Sequence, residues 1–249
     1  MVVAVHGSKA GFYINGLDWT SYLKSISLSR TVEAPDATVL RMLSKAYFPA
    51  GRVDATLAFE GFYDGSSSTP PGTIDYAITQ LNGAATKSVV CYTPVVEALG
   101  APMYGMDCDS TTIDESAPMD GLVTLDGEFQ SSHGAERGVI LRVLANASAT
   151  ANGTAVDLSL VDGTAGSKAF GGVAYLQETV TSGASHQVKI EDSADGSTGW
   201  AVIATHTART TIGAERIQIA GTVRRWVRAQ WTIASGSMTF TVAFKRYIQ

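Results

Sequence analysis

The sequence predicts a mainly β chain in two units, with one helix in the first. Alternating apolar and polar residues recur along most of its length, the period expected when successive side chains fall on opposite faces of a sheet. Turn pairs punctuate these segments, among them Asn15-Gly16, Asp162-Gly163, Ser182-Gly183, Asp195-Gly196 and Ser235-Gly236. Composition agrees: hydrophobic residues make up 45% of the 249, charged residues 16%, and there are 25 glycines. That is apolar enough to bury a sizeable core and too weakly charged for a disordered chain.

In the first unit, residues 1–150, an apolar opening (Val2, Val3, Val5) leads to the hairpin signal Asn15-Gly16. Residues 22–30 alternate, with Tyr22, Ile26 and Leu28 on one face and Ser25, Ser27 and Ser29 on the other. Residues 55–63 repeat the pattern, Leu57 and Phe59 opposing Thr56, Ala58 and Glu60. The connection between these strands, of about 25 residues, is too long and polar for a turn. With Val39, Leu40, Met42 and Leu43 it is also too apolar for a free linker. A segment that finds its partner on another copy of the chain fits both facts.

A Ser/Pro/Gly loop follows, and then the helix over 73–81. Thr73 is its N-cap, Ile74, Ala77, Ile78 and Leu81 share a face, Asp75 suits the first turn, and Asn82-Gly83 ends it. Residues 88–92 form a short strand. Residues 101–118 read as a loop carrying the densest acid in the chain, Asp107, Asp109, Asp114 and Glu115, with Asp120 just beyond. Residues 122–130 alternate again, Val123, Leu125 and Phe129 on one face, and 138–144 complete the sheet. The small, polar stretch 146–154 reads as a linker, which places the unit boundary at 150.

The second unit, 151–249, is a run of alternating segments at 156–160, 173–180, 186–192, 200–204, 215–219, 223–233 and 238–247. Strands of that spacing indicate a β-sandwich of jelly-roll type. In 223–233, Val223, Val227, Trp231 and Ile233 face one way, and Arg224, Trp226, Arg228 and Gln230 the other. Met238, Phe240, Val242 and Phe244 line the core face of the last strand.

Charge divides along the same boundary. Residues 1–150 hold 9 Lys+Arg against 16 Asp+Glu, and 151–249 hold 9 against 7. An acidic first unit argues against a simple nucleic-acid binder. Cys91 and Cys108 are the only cysteines and are expected to be reduced in a protein with a large core. The N-terminus has no basic and apolar signal pattern, and no apolar run approaches a membrane span, so a soluble protein made in a cytoplasm is expected.

Motifs that carry chemistry are sparse. His6, His133, His186 and His206 are scattered, with no metal-ligand spacing, and no nucleophile-elbow, phosphate-loop or dinucleotide pattern occurs. No catalytic, cofactor-binding or metal-ligating residue is therefore assigned, and an enzyme is not expected. His133 beside Glu128 and Glu136 reads as a polar turn. The acids of 107–120 read as a solvated surface, and 192–197 as an Asp-Gly hairpin turn in preference to a calcium loop. Arg224 and Arg228 around Trp226 form a candidate exterior face for a ligand or a protein contact, of which the contact is preferred.

Two stretches carry a family resemblance. The first runs from "GLDWTSYLKSISLSRTVEAPDATVL" to "KAYFPAGRVDATLAFEGFYDG" and resembles the start of tail tube (major tail) proteins of long-tailed, siphovirus-type bacteriophages. Asp18, Tyr22, Leu23, Ser25 and Leu28 carry its first part; Tyr47, Pro49, Gly51, Asp54, Ala55, Thr56 and Gly61-Phe62-Tyr63-Asp64 carry its second. In Phe48-Pro49-Ala50-Gly51 the family's glycine is displaced by one residue. The second stretch, from "QVKIEDSADGSTGW" to "GTVRRWVRAQWTI", is similar to a β-sandwich segment at the end of phage tail proteins, with Trp226 where tyrosine is commoner.

The resemblance implies a tail-tube-type β-barrel or sandwich with a flanking helix, followed by a C-terminal β-sandwich decoration domain. It implies hexameric rings stacked into a tube, through which DNA passes without specific binding during ejection. Assembly would take place in the host bacterial cytoplasm, and the product would be part of the virion tail. Implied partners are other copies of the chain, the tape measure, tail terminator and distal tail proteins, and cell-surface glycans on the outside; no cofactor and no membrane are implied. On this reading Val39, Leu40, Met42, Leu43, Tyr47 and Phe48 make ring contacts. The alternative is a receptor- or glycan-binding head or tail decoration protein; an unrecognised hydrolase is a third class.

Overall fold

The stretch expected to be an acidic loop is the longest strand among the described residues. A computed structural model describes residues 9–32, 53–63 and 87–248. Within them lie β1 (Gly11–Ile14), β2 (Leu17–Asp18), β3 (Leu23–Val32), β4 (Val53–Phe62), β5 (Ser88–Thr93), β6 (Pro102–Ser116), β7 (Thr124–Ser131) and β8 (Glu136–Ala147). The chain continues through β9 (Ala151–Asn152), β10 (Val156–Asp157), a single helical turn α1 (Ser159–Asp162), β11 (Gly172–Ser182), β12 (His186–Ser193) and β13 (Ala201–Thr205). It closes with β14 (Gly213–Ile219), β15 (Trp226–Ile233) and β16 (Ser237–Arg246). The protein is thus mainly β. The helix expected over 73–81 lies outside the described residues.

Strand β6 escapes a reading by alternation because its first half is buried on both faces. Met103 and Gly105 point one way and Met106 and Cys108 the other, all buried. Its second half, with Asp109, Asp114 and Glu115, is largely exposed and pairs with β7. Two smaller corrections concern 146–160. The presumed linker holds the end of β8 and all of β9, and 156–160 bends after two strand residues into α1, where the Asp157 carboxylate accepts from Ser159 N at 2.9 Å.

An 11-stranded antiparallel sheet follows the order β14-β11-β16-β8-β6-β5-β1-β2, with β3, β4 and β7 attached through β6. A 5-stranded sheet, β10-β15-β12-β13 with β9 beside β15, packs on it. The large sheet passes across residue 150: β8 pairs with β16 from Val139↔Phe244 to Ala147↔Met238. It curls until its ends meet at Gln177, a fully buried side chain on β11. Gln177 accepts from Gly16 N and donates to Val89 O, both at 2.8 Å, so a carboxamide stands in for a backbone ladder.

Three cores result. The curl encloses Tyr13, Cys91, Met103, Ile140, Val173, Tyr175 and Ala243. On one outer flank, β3, β4 and β7 fold over β1, β5 and β6 around Phe12, Trp19, Phe59 and Phe129. The Phe59 and Phe129 rings are stacked at 5.4 Å, and Trp19 meets Phe59 edge-on at 5.4 Å. On the other flank, the small sheet packs Val188, Ile190, Val227, Ala229 and Trp231 against Leu176, Phe240, Val242 and Phe244. The faces read from sequence in 223–233 and 238–244 are the observed ones. Cys91 and Cys108 are free and belong to different cores, on opposite faces of the sheet, which rules out a bond between them without refolding β5 and β6.

Gly105 lets Tyr175 fill the curl. A Cβ there would lie 2.5 Å from two ring carbons of Tyr175, whose hydroxyl is anchored on Glu136 and cannot retreat. Gly105→Ala is therefore expected to cost about 2 kcal/mol, as overpacking does. The check is a chemical-denaturation midpoint: a loss below roughly 0.5 kcal/mol would show that the ring can move aside.

Candidate assembly surface

The ten-residue strands β3 and β4 form an antiparallel ladder, in continuous register over the eight pairs from Ser25↔Glu60 to Val32↔Val53. Ile26 and Leu28 turn inward onto the core holding Leu57 and Phe59, while Ser25, Ser27, Ala58 and Glu60 face outward. This is the alternation expected from the sequence. At its far end Val32 and Val53 face each other across the ladder, 53% and 48% exposed. On its other side β3 has no strand partner among the described residues. The edge reads Ser25-Ile26-Ser27-Leu28-Ser29, uncharged and β-compatible, with charge only at Lys24 and Arg30. An open edge of that kind is a template for pairing with another chain.

Next to this edge the sheet presents carboxylates in a row. Glu60 on β4 lies opposite Asp126 on β7, which lies opposite Asp114 on β6. With Ser25, Ser27, Thr112 and Glu128 they line a shallow groove of about 400 Å³. Like charges directly opposite each other on a sheet are destabilising; Lys24 relieves Glu60 through an ion pair and feels Asp126 more weakly. That pair holds the Glu60 carboxyl below and the Lys24 ammonium above their ordinary values. Beneath the row Gly127 makes room for the Phe59 ring, since a Cβ there would lie 2.5 Å from it. The β6–β7 hairpin extends past the row to a tip where Met119 is fully exposed and Leu122 largely so.

The second face predicted from sequence is on the small sheet. Arg224 donates to Asp192 Oδ1 at 2.7 Å and to Gly199 O at 2.8 Å, and Arg228 donates to Glu191 Oε2 at 2.8 Å. The Arg228 guanidinium also lies 4.1 Å from the Trp200 ring centroid. Trp226 packs on Gly196, where a Cβ would come within 2.6 Å of the indole, and Arg225 lies 5.4 Å from its ring while pairing with Asp157. Arg225 heads the causes that hold the Asp157 carboxyl far below the usual range. In the 192–198 turn Asp195 accepts from Ser197 N and Thr198 N at 2.9 and 2.8 Å, and chiefly the Thr198 backbone keeps its carboxyl ionised far down in pH. The expected Asp-Gly turn is there, and its carboxylates are occupied in shaping it.

Val39, Leu40, Met42, Leu43, Tyr47, Phe48 and His6 lie outside the described residues. His133 follows β7 with its backbone N–H on Ser131 Oγ, and Glu136 is engaged elsewhere: Tyr175, Tyr247 and Arg216 all donate to its carboxylate. Sequence reasoning missed this cluster, and also the carboxylate row, because register across strands decides both and spacing within a strand does not.

Among solved structures, a chain of the native gene transfer agent virion aligns over 54% of this chain and 98% of its own, at 17% identity and a TM-score of 0.40. The SPP1 tail tube aligns over 54% and 78%, at 9% identity and a TM-score of 0.44. The SPP1 Dit protein, from the hub adsorption apparatus of phages infecting Gram-positive hosts, aligns over 95% and 99%, at 12% identity and 0.37. TM-scores this low assign neither fold nor function to this chain. No protein-family model matches the sequence, and no curated protein does.

Proposed function

We propose that the chain is a structural subunit of a bacteriophage tail, assembling into stacked hexameric rings that form the tube through which DNA is ejected. The observation that carries this reading is an uncharged β3 edge, without a second strand partner among the described residues, lying beside the carboxylate row Glu60–Asp126–Asp114. Repetition of the subunit along the edge would continue the sheet from copy to copy and extend the row into an acidic wall. Such a wall repels phosphate and lets DNA slide without counterion-release binding. The sequence resemblance points the same way. Val39, Leu40, Met42, Leu43, Tyr47 and Phe48 supply further ring contacts on this reading, and tape measure, terminator and distal tail proteins meet the tube at its ends. The small sheet then lies on the exterior of the virion tail. Its Arg–Trp face suits a protein contact better than a glycan, since its guanidinium groups are paired and the Trp200 ring carries one of them.

The test is negative-stain imaging of the purified protein beside a Ser27→Lys/Ser29→Lys variant. Stacked rings are expected for the native chain. The variant, whose changes are on the exposed side of an edge strand, should keep its melting temperature within about 2 °C and form no rings. Discrete trimers of the native chain would favour the receptor- or glycan-binding alternative, and rings from the variant would remove β3 from the interface.

A further inference from the structure

One end of the small-sheet sandwich holds a cluster of ionisable side chains that the assembly surface does not use. Glu178 on β11 shares a face with Ala174 and Leu176, His186 on β12 with Val188 and Ile190, and Glu215 on β14 with Ile217 and Ile219. His206 and Arg209 come from the strap 206–212 that joins β13 to β14. Among the described residues nine buried side-chain polar atoms lack a hydrogen bond, and five of them belong here: Glu178 Oε1, His186 Nδ1, both His206 ring nitrogens and Arg209 Nε. That concentration is too great for scattered packing faults.

The strap ties the two sheets together. His206 N donates to Val188 O at 2.9 Å, and Arg209 exchanges backbone bonds with His186 at 2.8 and 2.9 Å. On the main sheet everything converges on Glu215, which accepts from Thr207 N at 2.7 Å and Thr207 Oγ1 at 2.8 Å. His206 Nδ1 lies 3.4 Å from it, outside hydrogen-bond alignment, and Arg209 Nη2 lies 3.9 Å away. Arg209 also donates to Ala214 O at 3.0 Å. The second carboxylate, Glu178, pairs by backbone with Gly213 directly beneath the Arg209 side chain, since a Cβ on Gly213 would come within 2.6 Å of Nη1. From the remaining neighbours, β16 offers Phe240, β15 Ile233 and the β1–β2 turn Gly16, none of them charged.

We propose that this strap is a proton-operated latch in which Arg209 stays with Glu215 while Glu178 is protonated and swings to Glu178 when that carboxyl is ionised. The move satisfies two orphaned atoms, Glu178 Oε1 and Arg209 Nε, and loosens the strap's hold on Glu215. The two carboxylates stand on opposite sides of their ordinary values. Burial raises the Glu178 carboxyl from the ordinary 4.5 to about 7, against a smaller opposing effect of Arg209. Burial would raise Glu215 too, but the neighbouring His206 ring and the hydrogen bonds from Thr207 hold it at about 2. A raised acid stabilises the fold fully below its unfolded value, and that contribution is lost as pH climbs through the folded value. The latch therefore loosens between about pH 5 and pH 8, with Glu215 ionised throughout.

Amide hydrogen exchange on the full chain tests this, read on peptides spanning 206–215 at pH 6 and pH 8.5 and corrected for intrinsic rates. Protection in the strap should fall about tenfold at the higher pH in the native protein and stay level in Glu178→Gln. A level native profile overturns the latch, as does an unchanged fall in Glu178→Gln. A His206→Gln variant tells a histidine proton from the Glu178 proton: loss of the pH response there, with its survival in Glu178→Gln, assigns the switch to His206 instead. Should Glu178→Gln fail to fold, an NMR titration of the native Glu178 carboxyl carbon decides, since a midpoint in the ordinary carboxylate range overturns the proposal and one near neutrality supports it.

Discussion

Replacing Arg216 by methionine should lower stability by about 3–5 kcal/mol at pH 7, the cost of leaving a buried charge without its partner. Arg216 donates to Glu136 Oε2 from Nη2 at 2.9 Å and from Nε at 3.1 Å, and also reaches the Tyr175 hydroxyl at 3.1 Å and Gln218 Oε1 at 3.0 Å. The Arg216 and Glu136 side chains are only 11% and 8% exposed, so solvent cannot screen the loss. Burial alone would make the guanidinium easier to deprotonate; Tyr175 and Glu136 outweigh it and hold the charge more firmly. Burial, and then the bond to Glu136, push the Tyr247 hydroxyl up to about 12, so both tyrosines remain donors at any pH of interest. Two tyrosine donors cannot replace a guanidinium, and the methionine variant keeps an unpaired carboxylate. A Glu136→Gln/Arg216→Met double variant should recover more than half of the loss, read from urea midpoints. A single-variant cost below about 1 kcal/mol would mean that Tyr175 and Tyr247 suffice and that the ion pair adds little.

The contrast between what the sequence discloses and what it hides follows from where side chains are buried. Strands buried on one face announce themselves: in β4 and β15 the inward residues, Leu57 and Phe59, Val227 and Trp231, alternate with neighbours left nearer the surface, as the sequence pattern requires. Strand β6 gave no such signal, since the curl and the β3–β4–β7 flank cover its first half from both sides. Asn15 and Gly16 both take positive φ, 49° and 82°, as the hairpin signal required. Of the candidate surface, the alternation of β3 is legible but its place at the edge of the described sheet is not, because an edge is a property of the whole sheet order. The carboxylate row is the same kind of fact: Glu60, Asp114 and Asp126 are far apart in sequence and adjacent only through two registers.

A fragment ending at Thr150 should fail to fold cooperatively, although composition and charge place a boundary there. The cut removes β16, which pairs with β8 from Val139 to Ala147, and β11, whose Val173 and Tyr175 fill the curl. It also removes Gln177, through which the ends of the sheet meet. Val139 and Leu141 would lose their cover on one side of β8, and Ile140, Met103, Tyr13 and Cys91 on the other. At roughly 1.5–3 kcal/mol for each large apolar side chain returned to water, the loss is on the order of 10 kcal/mol. That equals or exceeds the whole stability of a typical domain, about 5–15 kcal/mol. The fragment is expected to show no cooperative thermal transition by circular dichroism and a collapsed proton spectrum, and to form no tubes. A sharp transition near the melting temperature of the full chain would establish 1–150 as an autonomous unit, leaving 151–249 as an appendage that assembly can do without. The pairing of β8 with β16 argues that the two halves of this sequence fold as one sheet, so that any surface the second half displays is fixed to the first through a shared core.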